Sequence, residues 1–228
     1  VTTTGIEIIC ASTFSPVICG VDEAGKGSVL GPMVVAGIGV SSEERLSDLG
    51  VKDSKLLSPK ERERLYREIR KRCTIATVTI DAQEIDAIRN EMTMNACVAR
   101  THAQVIARLS PTCAYVDACD VNCFRYAEMV KAHLISSCEI VYEHHADEKY
   151  RVVSAASIVA KVVRDREIKK LAKKYGEIGS GYPSDPVTIR WLSGYIVDNP
   201  SPPPIARRSW KTVGALLKKK YQRTLLDF

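Results

Sequence analysis

The sequence predicts an α/β fold in which a mixed sheet of five strands is flanked by helices and followed by a helical C-terminal region. Short runs rich in β-branched residues alternate with longer segments whose apolar residues recur at helical spacing. The first three runs lie close enough along the chain to favour an antiparallel meander. Near residue 176 the composition changes to Gly, Ser, Pro and Asp, which marks a loop before the last helices.

Five strands are predicted from the β-branched runs. The first is apolar up to its final residue, Asp22, and the fourth is again apolar and ends at an acid, Asp117. The second is bounded by glycine, and the third is β-branched throughout. The predicted strands cover residues 17–22, 33–40, 74–80, 113–118 and 139–142.

The helices are predicted from their start and stop signals. Ser58-Pro59-Lys60-Glu61 is a capping box with proline at the first helical position, and it begins a basic amphipathic helix that ends near Arg72. The longest predicted helix, Val153 to Tyr175, has a basic C-terminus closed by Gly176. Three further helices are predicted at residues 93–109, 124–134 and 185–197. A short helix is predicted to begin at residue 81, and the final helix near residue 209.

These elements divide the chain into four segments. Residues 1–15 are a weakly patterned N-terminal extension, and residues 16–175 form the α/β domain. Residues 176–221 are the helical C-terminal region, and residues 222–228 are a candidate binding peptide.

The composition is that of an ordinary soluble globular protein of 228 residues, with 26% charged residues. The net charge of +6 favours polyanionic partners. The eight cysteines are expected to be reduced and structural, because no secretory leader pattern accompanies them. No apolar run reaches the roughly 18 residues that a membrane span needs. We therefore expect a monomeric cytoplasmic protein that is not attached to a membrane.

Two adjacent acids, Asp22 and Glu23, end the first predicted strand and are followed by Gly25-Lys26-Gly27. Burying such a pair is costly unless a cation or hydrogen bonds compensate it. Glycines let the backbone approach a ligand closely, and the lysine adds positive charge. The alternative is an exposed acidic turn beside a lysine, and the two interpretations are equally weighted on this segment alone.

Two further acids have the same placement. Asp117 lies at the end of the fourth strand, and Asp147 follows the fifth strand just ahead of the long helix. Carboxylates are preferred ligands of Mg²⁺, and two such ions can activate a water and stabilise the leaving oxygen in phosphodiester cleavage. The spacing does not by itself establish that the acids converge.

Two other metal or phosphate motifs are weaker. Gly20 to Lys26 fits most of a P-loop, but Gly27 stands where Ser or Thr would bind magnesium, and two carboxylates would repel the phosphates. His144 and His145 are interpreted as loop residues rather than zinc ligands, because no second pair at ligand spacing accompanies them.

The chain resembles the ribonuclease HII family in its archaeal form, from about Ile18 to Trp210. Six ordered blocks carry the resemblance: residues 22–27 with 31–33, then 53–57, 115–118, 146–150, 154–161 and 179–186. The resemblance implies a ribonuclease H-like fold, which is also that of the catalytic subunit of the eukaryotic type 2 enzyme.

The family's catalytic and metal-binding carboxylates correspond to Asp22, Glu23, Asp117 and Asp147. The resemblance implies that they hold two Mg²⁺ or Mn²⁺ ions. It also implies that the enzyme cuts the RNA strand of RNA–DNA hybrids and 5′ of single ribonucleotides in duplex DNA, leaving a 3′-hydroxyl and a 5′-phosphate. Tyr182 matches the family tyrosine at the RNA–DNA junction, where the 2′-hydroxyl is the feature to be recognised.

One departure concerns substrate binding. The family usually has Gly-Arg-Gly where this chain has Gly25-Lys26-Gly27, and lysine lacks the planar fork of arginine. Because much of that motif's recognition of the 2′-hydroxyl is through the backbone, cleavage activity is expected to survive the change better than the preference for the junction. Lys161 and Arg164, at i and i+3 of the long helix, are interpreted as a phosphate-contacting ridge or as a solvated basic face, and Arg62 is a weaker candidate contact.

The last seven residues resemble a peptide that binds the sliding clamp, PCNA. Gln222 would anchor the backbone, while Leu225 and Phe228 would enter one hydrophobic pocket from a short helical turn. The second aromatic residue usual in such peptides is absent. Two other functions remain as alternatives: another two-metal nuclease of the same superfamily, and a clamp-tethered nucleic-acid-binding protein without activity.

Overall fold

The computed structural model describes residues 5–9, 17–51, 57–134 and 137–226. Within these residues, a single mixed sheet of six strands runs in the order β1-β4-β3-β2-β5-β6. Its strands are β1 (Gly5–Ile9), β2 (Ile18–Ala24), β3 (Met33–Val40), β4 (Thr74–Ile80), β5 (Cys113–Asp117) and β6 (Glu139–Glu143). The α/β class and the mixed sheet flanked by helices are therefore confirmed.

The prediction of five strands was wrong by one. Gly5–Ile9, placed in the weakly patterned extension, forms a strand at the edge of the sheet and pairs antiparallel with β4, from Gly5 opposite Thr79 to Ile9 opposite Ile75. An edge strand is covered on fewer sides than a central one, so its sequence needs less regular apolar alternation. Ile8 is accordingly exposed and Glu7 interrupts the pattern. The other five strands are confirmed, with ends shifted by at most two residues.

The strand pairing places the ends of three strands side by side. β2, β3 and β4 form the expected antiparallel meander. β2 also pairs in parallel with β5, which in turn pairs in parallel with β6. Because parallel strands point the same way, the carboxyl ends of β2, β5 and β6 lie at one edge of the sheet.

The helices are α1 (Pro59–Arg72), α2 (Ala82–Arg89), α3 (Met94–Leu109), α4 (Cys123–Lys131), α5 (Ala146–Lys149), α6 (Arg151–Tyr175), α7 (Pro186–Asp198) and α8 (Lys211–Leu226). The capping box of α1 is present, with Glu61 N–H donating to Oγ of Ser58 and Ser58 N–H donating to Oε2 of Glu61. The short helix α5 and a 3₁₀ helix at Glu43–Leu46 were not predicted. Helices of about four residues are too short to show a hydrophobic period.

The sheet is packed between two helical layers. Residues of β2 and β3 alternate between the layers, so Val21 and Val35 pack toward α3 while Val34 and Ala36 pack toward α6. At Gly20, α6 packs directly against the sheet, since a side chain there would overlap the backbone of Val152.

The C-terminal helices have a small core of their own. It joins Leu30 from the segment between β2 and β3 with Ile178, Leu192 of α7 and Val213 of α8. Gly181 accepts hydrogen bonds at its carbonyl from the N–H groups of both residues 29 and 30, at 2.8 and 3.0 Å. The C-terminal region therefore packs directly on the segment that follows β2. Within the described ranges, no helix is both long and apolar enough to cross a membrane.

Candidate active site

Four acidic residues meet where β2, β5 and β6 end, and we call them the acid site. Asp22 and Glu23 lie near the carboxyl end of strand β2, and Asp117 is the last residue of β5. Asp147 lies in α5, the short helix that follows β6. Repulsion between their negative charges contributes to raised pKa values at Asp22 and Asp117. The structure thus brings together all four acids that the sequence singled out.

Asp22 and Glu23 extend to opposite faces of the sheet, as successive residues of a strand must. Asp22, which is 7% exposed, interacts with the side chain of Ser157 on α6 and accepts the N–H of Glu23 at Oδ1, at 2.7 Å. Oε2 of Glu23 lies 3.2 Å from Nε2 of His102 on α3. Both helical layers therefore contribute a contact to the acid site.

Burial dominates the electrostatics of Asp22. Loss of water contact raises the pKa of this carboxyl well above its ordinary value, and the negative charges of Glu23 and Asp117 raise it further. The hydrogen bonds from Ser157 and from the backbone of Glu23 act in the opposite direction without cancelling the rise. A nearby cation would favour the ionised form.

Asp117 connects two of the elements that form the site. Its Oδ1 accepts the N–H of Ala146 at 2.9 Å, which ties the start of α5 to the end of β5. Burial raises the pKa of Asp117, the hydrogen bond from Ala146 opposes the rise, and the charges of Asp147 and Glu23 add to it. The contact sets the position of α5, and with it Asp147.

The donor set of the acid site suits a hard divalent cation. It consists of carboxylate oxygens, which Mg²⁺ and Mn²⁺ prefer over nitrogen or sulfur. In a second grouping, ligand atoms of His145, Asp147 and Glu148 lie within 4.8 Å of one another, but His145 and Glu148 are exposed. His144, at 3.3 Å from the carbonyl of Val121, makes a loop contact.

The Gly-Lys-Gly loop, Gly25-Lys26-Gly27, begins directly after β2. Gly25 has a φ of +86°, and a side chain there would overlap Arg164 and the carbonyl of Pro32, so only glycine fits. Nζ of Lys26 donates to the carbonyl of Cys119 at 3.0 Å. The segment continues into β3 rather than a helix, which excludes the P-loop.

The tyrosine loop, residues 176–185, covers the Gly-Lys-Gly loop. The hydroxyl of Tyr182 accepts the N–H of Gly25 at 3.0 Å. Asp185 holds the base of the loop by accepting the N–H of Ser180 at 2.6 Å, and this bond helps to lower the pKa of Asp185 to about 2. The two candidate recognition elements, 157 residues apart in sequence, are thus in direct contact.

Arg164 lies beneath the tyrosine loop and is only 3% exposed. Its guanidinium carbon is 4.5 Å from the ring centre of Tyr182, and its Nη2 donates to the carbonyl of Ser180 at 3.0 Å. A solvated basic face is therefore excluded for Arg164. Lys161 is half-buried on the same helix, and Arg62 links α1 to α6 through Asp165, at 3.2 Å.

Two residues of the site were missed from the sequence, Arg207 and His102. Arg207 is 0% exposed and donates from Nη1 to the carbonyl of Lys26 at 2.9 Å, and from Nε and Nη2 to that of Gly31 at 3.2 and 3.1 Å. Burial lowers its pKa to about 9. The only local signal is its place after a proline-rich break, which does not indicate burial. His102 lies at an apolar position of α3, where a histidine is usually structural.

Some predicted residues fall partly or wholly outside the described ranges. Of the family block at residues 53–57, only Leu57 is described. Of the candidate clamp peptide, Gln222 is exposed on α8, the backbone of Leu225 lies in the same helix, and Phe228 is outside the described residues.

Comparison with known proteins agrees with the geometry. Residues 19–213 match the family model of ribonuclease HII. The ribonuclease HII of Methanoregula boonei is 69% identical over 211 residues, covering 92% of this chain and 99% of that protein.

Two solved structures extend the comparison. The crystal structure of ribonuclease H2 from Pyrococcus horikoshii OT3 has a TM-score of 0.84 at 42% identity and covers 90% of this chain and 99% of its own. The ribonuclease HII in a complex with PCNA from Archaeoglobus fulgidus has a TM-score of 0.81 at 45% identity and covers 86% of this chain and 95% of its own.

The fold and the acid site define a protein of the ribonuclease H-like class. Within that class, the match over most of its length shows that the chain belongs to the ribonuclease HII family. It is a ribonuclease H, a hydrolase of the endonuclease type that acts on RNA–DNA hybrids.

Proposed function

We propose that the protein cuts the RNA strand of hybrids and also incises 5′ of single ribonucleotides in duplex DNA, through two divalent cations held by the acid site. The observation that carries the proposal is the convergence of four carboxylates at one sheet edge, two of them with pKa values raised by burial and mutual repulsion. Such a cluster is unfavourable by itself and is compensated by cations. The remaining residues then orient the carboxylates and the substrate.

The two ions, Mg²⁺ or Mn²⁺, would supply an activated water and stabilise the leaving oxygen, so that the products carry a 3′-hydroxyl and a 5′-phosphate. Asp22, Glu23, Asp117 and Asp147 would be the ligands. Ser157 and the N–H of Ala146 hold Asp22 and Asp117 in place. These contacts keep the carboxylates oriented before substrate binds, which lowers the reorganisation needed for the reaction.

Recognition of the ribonucleotide is assigned to the Gly-Lys-Gly loop together with Tyr182. The backbone of Gly25, Lys26 and Gly27 lies next to the acid site, and Gly27 has no heavy atom within 4 Å of the place where a side chain would begin. A substrate can therefore approach the backbone closely there, and the 2′-hydroxyl is the group that distinguishes a ribonucleotide. The ring of Tyr182 would stack beside the sugar at the junction.

Phosphate contacts are assigned to basic residues around this surface. Lys161 on α6 is the proposed phosphate contact, and Arg62 on the neighbouring helix is a weaker one. Arg164, which the sequence suggested for the same role, is buried beneath Tyr182 and supports the tyrosine loop instead. Lys26 already donates to Cys119, so its ammonium is directed away from a free phosphate contact unless that bond opens. We expect lysine in place of arginine at this position to affect the cleavage of long hybrids less than it affects the preference for the RNA–DNA junction.

A labelled duplex with one ribonucleotide, incubated with Mg²⁺ or Mn²⁺, tests the proposal. Cutting on its 5′ side, lost in Asp22→Asn and absent from an all-DNA duplex, is the expected result. Cutting of a long hybrid alone would confine the activity to hybrids and place the lost specificity at Lys26 or Tyr182. Binding of both substrates without cutting would instead favour the binding-protein alternative. Random cutting of all-DNA duplex would favour another two-metal nuclease.

A second proposal is binding to a sliding clamp through residues 222–228. The neighbouring structure from Archaeoglobus fulgidus is a complex of PCNA with ribonuclease HII. In this chain α8 continues to Leu226, so Gln222 and Leu225 are one helical turn apart. Leu225→Ala combined with Phe228→Ala is expected to abolish clamp binding in calorimetry, whereas Lys219→Ala, on the same helix, retains it. Equal affinity of both variants would reject the peptide.

The domain division is part of the same proposal. Residues 16–175, together with the edge strand β1 that joins their sheet, would form the catalytic domain. Residues 176–221 would be the helical region that carries the tyrosine loop, and residues 222–228 the clamp peptide.

A further inference from the structure

A buried histidine lies beside the acid site on the face of the sheet that α3 covers. The side chain of His102 is 0% exposed. Its Nε2 lies 3.2 Å from Oε2 of Glu23, and its Nδ1 lies 3.0 Å from the hydroxyl of Tyr126 on α4. A polar ring among apolar neighbours costs free energy unless its nitrogens are matched by polar partners. Here each nitrogen faces one.

The chemistry of the three groups sets the direction of each contact. A carboxylate accepts hydrogen bonds and cannot donate, so the nitrogen that faces Glu23 is the one that carries a proton. The hydroxyl of Tyr126 can donate or accept, and it therefore matches Nδ1 of His102 whether the ring is neutral or charged. The ring can therefore present an N–H to Glu23 while Tyr126 matches its other nitrogen.

The contact between His102 and Glu23 is close but not aligned. Neither Nε2 of His102 nor Oε2 of Glu23 makes a hydrogen bond of good geometry within the described residues. The terminal torsion of glutamate is broad, so its carboxylate can turn to accept this N–H while its other oxygen faces the acid site. Asp117 is also near enough to His102 for the two to interact electrostatically.

Tyr126 is in turn held from two sides. Its side chain is buried and meets the ring of His102 edge to face, with ring centres 5.9 Å apart at 89°. Its hydroxyl also interacts with the side chain of Cys119. The backbone carbonyl of Cys119 accepts a hydrogen bond from the ammonium of Lys26. Glu23, His102, Tyr126 and Cys119 thus form one connected polar path through an otherwise apolar layer.

We propose that His102, oriented by Tyr126, is a positioning residue that holds the carboxylate of Glu23 in the orientation that a divalent cation requires. The inference rests on the proposed function of the acid site. In metal sites, groups that hydrogen-bond to a ligand fix its orientation, and removing one lowers metal affinity about 10–100-fold. A ring packed on all sides is better suited to this than a flexible side chain, because little entropy is lost when the contact forms.

The experiment measures Mn²⁺ binding directly, with the free ion counted by electron paramagnetic resonance. His102→Phe and Tyr126→Phe are expected to raise the Mn²⁺ dissociation constant about tenfold. His102→Gln, which keeps an N–H donor at a similar reach, is expected to restore most of the affinity. Tyr195→Phe on α7 is the matched control and should bind as the unmodified protein does. In cleavage assays the half-saturating metal concentration should rise in parallel, while the Michaelis constant for the duplex stays constant.

Unchanged Mn²⁺ affinity in Tyr126→Phe and in a folded His102→Phe would overturn the inference, and so would a glutamine variant no better than phenylalanine. If His102→Phe fails to fold, the Mn²⁺ affinity of Tyr126→Phe alone tests the inference, because this variant removes one oxygen and keeps the ring. Loss of Mn²⁺ binding in Asp147→Asn verifies that the acid site is the one titrated. Absence of binding in the unmodified protein would overturn the proposed function itself, and this inference with it.

Discussion

At the scale of single residues, the acid site opposes the stability of the fold that contains it. Burial and the charge of Glu23 raise the pKa of Asp22 well above its ordinary value. A carboxyl group whose pKa is raised by folding contributes most stability below its unfolded pKa, and that contribution is lost as the pH rises through the folded pKa. Above the unfolded pKa, the buried carboxyl of Asp22 therefore destabilises the metal-free folded chain, and a cation bound beside it would offset this cost.

Asp22→Asn should accordingly abolish cleavage while stabilising the metal-free protein. We expect the thermal midpoint to rise by roughly 2–4 °C at neutral pH, which corresponds to about 1 kcal/mol for a chain of this length. This difference in thermal midpoint between the variant and the unmodified protein should become smaller as the pH falls toward about 4, where the carboxyl of Asp22 is protonated. Differential scanning fluorimetry in a chelating buffer measures both values.

The matched control is Asp48→Asn. Asp48 is an exposed acid whose pKa is lowered, chiefly by its hydrogen bond with Arg72, so its removal should not raise the midpoint. A lower midpoint for Asp22→Asn than for the unmodified protein at neutral pH would contradict the electrostatic account.

At the scale of elements, the position of the acids depends on how closely α6 lies against β2. Gly20 has no side chain, and the backbone of Val152 and Val153 occupies the space that one would need. The same helix carries Ser157, which contacts Asp22, and Arg164, which lies under Tyr182. A displacement of α6 would therefore move contacts to the acid site and to the tyrosine loop together.

Gly20→Ala should destabilise the protein and lower its activity. Overpacking of this kind costs about 1–3 kcal/mol, and the obstacle here is backbone, which cannot rotate away. Gly194→Ala within α7 is the control, because nothing lies within 4 Å of the added carbon and alanine favours a helix. Urea unfolding distinguishes the two variants. Equal stability of both would mean that α6 shifts without cost.

At the scale of the whole molecule, one arginine joins the C-terminal region to the α/β domain. Arg207 precedes α8, yet its guanidinium binds the carbonyls of Lys26 and Gly31 on either side of the segment that follows β2. It also lies over the ring of Trp210, 4.9 Å from the ring centre. Since buried carbonyls lose free energy when left without donors, the two parts of the chain should unfold as one unit.

Arg207→Met should lower the thermal midpoint and slow cleavage of the ribonucleotide substrate. The loss of donors to one buried and one partly buried carbonyl is expected to cost about 2 kcal/mol net, or about 4–8 °C. Arg208→Met, at the adjacent exposed position, should have little effect. Calorimetry checks both the midpoint and the single transition. A midpoint like that of Arg208→Met would show that Arg207 does not couple the two parts.

Much of the fold and the acid site was predictable because the signals are local. Apolar runs, the capping box at Ser58 and the glycine after Tyr175 define strand and helix ends through contacts between near neighbours. Strand β1 was missed because an edge strand needs little pattern, and α5 because one helical turn has none. That the four acids come together was predicted from their positions at or just after strand ends, combined with the family motifs. Their spacing in the sequence would not have been enough.

What the sequence by itself determined is the order of most elements, the family, and which four acids the fold would bring together. Only the tertiary structure decided that Arg164 lies under Tyr182, that Arg207 supports the Gly-Lys-Gly loop, and that His102 faces Glu23. The physical reason is that periodicity and capping depend on residues a few positions apart, whereas these contacts join residues from 18 to 181 positions apart. Whether a charged or polar side chain is buried depends on what the rest of the chain packs around it.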